Sequence, residues 1–214
     1  MLLAMSARTL SIPVPGALHR LEGRLVERQA GAEVALVAPP HPLFGGTIGN
    51  PVVRALERAF QERGLSTLAF NFRGSGDDTG TEPSGELVDA TQDYLAAARS
   101  VAAPLAWLTG YSFGSVAALA TAVELGVTRV LMVGPPLGFL DPALLSQYRG
   151  RLCIIVGSED EYAPVAAVRD LLGDRADTRF AVVDGVDHFF LGAAVPLLSD
   201  TLARVLREET RDAT

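Results

Sequence analysis

The feature that most restricts this chain is a series of short, unbroken apolar runs: Val34–Ala38, Thr67–Phe70, Leu105–Thr109, Val130–Val133, Leu152–Val156 and Phe180–Val183. A strand with one wet face alternates apolar and polar residues, whereas an unbroken run marks a strand covered on both faces. Amphipathic stretches separate the runs, and helices are expected over Val52–Arg63, about Glu86–Ala102, about Phe113–Leu125, near Val165–Leu172 and over Ala193–Leu206. Ala17–Glu27 has extended character. The alternation predicts an α/β architecture, a mostly parallel central sheet with helices on both faces. No repeat, low-complexity tract or linker divides the 214 residues, so one domain spanning 1–214 is expected, with an irregular N-terminal stretch 1–16. In such sheets ligands bind beyond the carboxyl ends of the strands. The residues just after each run are therefore the ones that matter.

Composition removes several chemistries. The formal charge of −7 opposes the counterion displacement on which nucleic-acid binding depends. No apolar run approaches the ~18 residues of a membrane span, and Met1–Met5 is too short and lacks the basic residues of a signal segment, so a cytoplasmic protein with no membrane partner is expected. All 18 cationic residues are arginine, which excludes the lysine of a P-loop and any Schiff base through lysine. The single cysteine, Cys153, rules out an intrachain disulfide and a thiolate metal cluster; it lies inside an apolar run and reads as core filler. No metal site and no cofactor are expected.

After the Trp107 run the chain reads Gly110-Tyr111-Ser112-Phe113-Gly114 and continues into an Ala-rich helix. G-x-S-x-G between strand and helix describes a turn that presents a serine hydroxyl above the sheet, with the helix N-terminus favouring negative charge behind it. A serine needs a base, and the base an orienting carboxylate. Of His19, His41 and His188, only His188 lies late enough for the order Ser…Asp…His. The carboxylate belongs in the loop after the Cys153 run, where Glu159, Asp160 and Glu161 are all candidates by spacing. Asp184 and Asp187 read as turn formers. The Arg73–Gly80 loop misses the glycine spacing of a phosphate cradle and its Asp77-Asp78 pair would repel a pyrophosphate. A solvated loop is expected, with Arg73 donating to loop carbonyls.

With Pro40–Thr47, Asn71–Gly76, Gly110–Gly114, Gly157–Glu161 and Asp187–Phe190 in this order, the sequence resembles the α/β-hydrolase superfamily, and within it the small lidless serine hydrolases similar to the dienelactone-hydrolase group. The elbow residue here is serine, where dienelactone hydrolase itself carries cysteine. The resemblance implies that Asp160 supplies the carboxylate, and that the oxyanion hole pairs the Phe113 N–H with one from the loop after Val34–Ala38. Pro40 and Pro42 have no N–H; His41 and Leu43 remain, His41 first. The resemblance also marks Gly134–Arg151, where relatives insert a lid, as too short for more than a loop and one helix around Pro142–Tyr148. An open site is expected, with Phe44, Leu137 and Phe189, besides Phe113, Phe139 and Phe190, suggesting an apolar acyl pocket. The expected activity is hydrolysis of a small-molecule carboxylic ester or thioester through Ser112, His188 and Asp160. The alternatives are a non-catalytic interaction module that keeps the fold, or a small peptidase or amidase.

Overall fold

A computed structural model of the chain describes residues 6–29, 31–77 and 80–211. Eight strands of the described residues form one sheet: β1 (Ser6–Pro13), β2 (Arg20–Glu27), β3 (Val34–Ala38), β4 (Ser66–Phe70), β5 (Leu105–Tyr111), β6 (Arg129–Val133), β7 (Arg151–Gly157) and β8 (Thr178–Val183). Their order is β1-β2-β4-β3-β5-β6-β7-β8. Pairing is parallel from β4 through β8, while β2 runs antiparallel to both β1 and β4. The central runs are buried along their whole length, as their lack of alternation implies.

Among the described residues six α-helices cover the sheet: α1 (Pro51–Glu62), α2 (Leu87–Arg99), α3 (Phe113–Leu125), α4 (Pro142–Gln147), α5 (Val165–Leu172) and α6 (Ala194–Arg211). Successive strand residues point to opposite faces, so Leu36 and Ala38 join the core under α2 to α5, whereas Ala35 and Val37 join the core under α1 and α6. The start of α1 is set by Asn50, whose Oδ1 accepts the Val52 N–H at 2.9 Å, with Pro51 at the first helical position. The α3 helix is buried over almost all of Phe113–Ala122, because α2 and α4 flank it on the sheet. No described helix is long and apolar enough to cross a membrane.

Three expectations are corrected. The N-terminal stretch 1–16 is not irregular over its described part: β1 pairs with β2 from Ser6↔Glu27 to Pro13↔Arg20. An edge strand wet on one face buries little, here mainly Ile12, and so leaves no apolar run to read. Helix α6 runs to Arg211 rather than Leu206, because Glu208 and Glu209 in its last turns accept from Arg179 of β8, and Glu209 also from Arg151 of β7. Arg73 donates not to loop carbonyls but to α2. Its guanidinium meets Asp93 Oδ1 at 2.8 Å and Asp89 Oδ1 at 2.7 Å, and its N–H reaches Asp93 Oδ2 at 2.8 Å. Asp93 is fully buried, and a buried carboxylate needs such a partner. Asp78, half of the acidic pair in the same loop, lies outside the described residues.

Candidate active site

Ser112 stands between the end of β5 and the first residue of α3, with φ 52° and ψ −127°. Such a conformation costs ~1–3 kcal/mol for a residue with a side chain, and the surroundings hold it. The Ser112 N–H donates to Val133 O at 2.8 Å, and Ser112 O accepts from Ser115 Oγ at 2.6 Å. The two glycines of the motif serve close approach. A Cβ on Gly110 would collide with the Gly114 main chain, and a Cβ on Gly114 with the Pro39 carbonyl oxygen. Strand, elbow and the loop after β3 thus meet within van der Waals contact.

His188 comes from the loop between β8 and α6, and Asp160 from the loop after β7. His188 Nε2 lies 2.9 Å from Ser112 Oγ, and Nδ1 lies 3.0 and 2.9 Å from the two Asp160 oxygens. The tautomer that satisfies both contacts carries its proton on Nδ1 and leaves Nε2 to accept. Asp160 is buried, and its Oδ1 also accepts the Tyr162 and Ala163 N–H groups at 2.9 and 2.8 Å. Glu159 and Glu161 are exposed, as is Asp184. Asp187 Oδ1 accepts the Phe189 N–H at 3.0 Å, closing a turn. Tyr162 and Phe189 flank the imidazole, with ring centroids 4.7 and 5.7 Å from it. The Tyr111 hydroxyl donates to the His188 carbonyl at 2.8 Å.

On the other side of the serine, His41 precedes a 3-10 turn, Pro42–Phe44. Its Nδ1 accepts the Leu43 N–H at 3.3 Å, which engages one of the two N–H groups that the prolines leave. Burial holds the His41 imidazole below the usual histidine pKa, so it is neutral at neutral pH. Its ring centroid lies 4.5 Å from Phe113, 4.9 Å from Phe44 and 5.6 Å from Phe139. The Phe113 N–H is the first of its helix and has no intrahelical acceptor. His19 sits between β1 and β2 with its ring tucked inward, Nε2 being 3.8 Å from Asp93 Oδ1.

Phe44 is 86% exposed, Phe189 53% and Phe139 41%, with Leu43 and Tyr162 exposed beside them. Leu137 is half-buried, its N–H donating to Tyr162 O at 2.9 Å. Phe113 and Phe190 are fully buried and belong to the core. Exposed aromatic side chains, Phe44, Phe139, Tyr162 and Phe189, thus rim the site. Tyr162, the Tyr111 hydroxyl and the positive φ of Phe190 (51°) are features that sequence reasoning did not single out. Tyr162 could have been noticed as the aromatic two residues after Asp160; nothing in one sequence announces the other two.

Cys153 lies in β7, fully buried under α1 and α6. Burial, with Glu209 nearby, pushes its thiol far above the usual range. Iodoacetamide at pH 8 is therefore expected to leave the native protein unmodified and to alkylate one thiol once urea has unfolded it. Stoichiometric labelling of the folded protein would contradict this placement.

No family model matches the chain. Among solved structures, it is similar to an alpha-beta serine hydrolase homologue from Coxiella burnetii, 31% identical, with 95% of this chain and 99% of that one covered and a TM-score of 0.81. It is also similar to a Xanthomonas campestris protein described as an a/b serine hydrolase without lid, 27% identical over 95% of this chain and 94% of that one, with a TM-score of 0.78. A dienelactone hydrolase from Anabaena variabilis shares the fold, at 21% identity, 94% and 96% coverage and a TM-score of 0.76.

Proposed function

Since the chain belongs to the α/β-hydrolase family of serine hydrolases, we propose that it cleaves a small carboxylic ester or thioester through Ser112, His188 and Asp160. His188 Nε2 takes the Ser112 proton as Oγ forms a bond to the substrate carbonyl carbon. The carbonyl oxygen becomes an oxyanion, received by the Phe113 N–H and the His41 N–H. The tetrahedral adduct collapses: the carbon–oxygen or carbon–sulfur bond breaks, and the leaving alcohol or thiol takes the proton back from Nε2. Water, activated by the same imidazole, then releases the carboxylic acid and regenerates the serine. Asp160 keeps the proton on Nδ1 throughout and offsets the charge of the imidazolium that forms.

The observation that carries this reading is the pair of contacts at His188: 2.9 Å to Ser112 Oγ on one nitrogen and 2.9 Å to a buried carboxylate on the other. Three loops distant in sequence supply these groups. The exposed aromatic rim supports an acyl or alcohol group with apolar surface, and the single short helix α4 between β6 and β7 supports a substrate bound without a closing lid.

A fluorophosphonate probe with mass mapping, run beside a panel of p-nitrophenyl esters, acyl-thioesters and aminoacyl amides, tests the proposal. Labelling of Ser112 with turnover of esters or thioesters is the expected result. An unlabelled Ser112 would favour a non-catalytic module, and turnover of amides alone would favour a peptidase.

A further inference from the structure

Tyr111 is the last residue of β5 and the immediate neighbour of Ser112 on the chain. It is buried, yet its hydroxyl reaches across to the main chain 77 residues away and donates to the carbonyl of His188 at 2.8 Å. Its ring lies 5.7 Å from the His188 ring and meets Phe190 edge-on at 6.3 Å and 89°. Phe190 is itself buried in the left-handed region, so the segment carrying the imidazole is held in a conformation that its surroundings must enforce.

We propose that Tyr111 is a positioning residue for the base, fixing the main chain of His188 relative to the nucleophile. The inference rests on the assignment of Ser112 and His188 to catalysis. Asp160 holds His188 through its ring, at Nδ1, whereas the Tyr111 hydroxyl holds the same residue through its main-chain carbonyl. The contacts close a circuit: Ser112 is bonded to Tyr111, Tyr111 binds the His188 carbonyl, and the His188 ring returns to Ser112 Oγ. Burial, reinforced by the negative charge of Asp160 and Asp187, keeps the phenol protonated, so it remains a donor at any working pH.

A second buried tyrosine supplies the control. The Tyr94 hydroxyl donates to Leu36 O at 2.7 Å and accepts the Thr109 N–H at 2.9 Å, joining β3 to β5 without touching the site. Losing either hydroxyl leaves a buried main-chain group unsatisfied and lowers stability. Only the loss at Tyr111 should reach the chemistry.

The experiment compares Tyr111→Phe and Tyr94→Phe with wild type, alone and in a His188→Ala background, by kcat and KM on a p-nitrophenyl ester and by thermal melting. Tyr111→Phe is expected to lower kcat about tenfold with KM nearly unchanged, a loss in keeping with sub-ångström misplacement of a catalytic group. Tyr94→Phe should lower the melting temperature while leaving kcat of the folded protein unchanged. In the His188→Ala background, Tyr111→Phe should cost nothing further, because the group it positions is gone. Wild-type kcat in Tyr111→Phe, or an equal loss with and without His188, overturns the inference alone. Full activity of His188→Ala instead overturns the catalytic assignment beneath it. If Tyr111→Phe does not fold, Tyr111→Met, which fills the space without a donor, takes its place under the same criteria.

Discussion

Ser112→Ala is expected to lower kcat by about a millionfold, the scale seen when a triad nucleophile is removed, and to end labelling by fluorophosphonate. The fold should survive the change. The hydroxyl's contact is with His188 Nε2, while the strained φ of 52° is held by main-chain bonds, Ser112 N to Val133 O and Ser115 N to Ser112 O, which alanine keeps. Melting temperature and circular dichroism should therefore stay close to wild type while turnover vanishes. Ester hydrolysis within tenfold of wild type would mean that the nucleophile lies elsewhere.

Asp160→Asn is expected to cost about ten thousandfold in kcat at nearly constant fold. The amide oxygen can still accept the Tyr162 and Ala163 N–H groups, so the loop stays closed. The amide nitrogen, however, faces Nδ1 as a donor. The imidazole must then accept there and carry its proton on Nε2, where it can no longer receive the serine proton. The exposed neighbours offer a comparison: Glu159→Gln and Glu161→Gln should leave kcat unchanged. A fall with either glutamine variant and none with Asp160→Asn would move the carboxylate role to that neighbour.

The parts of the molecule legible in one dimension are those where local pattern and burial coincide. Val34–Ala38 and Leu152–Val156 are apolar throughout because both sheet faces are covered, and G-x-S-x-G is a local turn whose glycines answer to steric collisions within a few residues and with the adjoining loop. Strand β1 escaped notice because an edge strand needs few apolar residues. The extension of α6 escaped because it depends on arginines 30 and 58 residues away. Choosing among Glu159, Asp160 and Glu161 was beyond spacing, since three adjacent carboxylates differ only in which one the loop turns inward.

Local pattern and composition alone settled the layered α/β architecture, the serine elbow and the absence of lysine chemistry, because each depends on residue type and short-range spacing. Spacing left three carboxylates open and only the resemblance pointed to Asp160, whereas tertiary structure alone decided that Leu43's N–H is engaged by His41 and that the Tyr111 hydroxyl donates to the His188 carbonyl. Those are contacts between loops far apart in the chain, and their distances exist only once the sheet has brought the strand ends together.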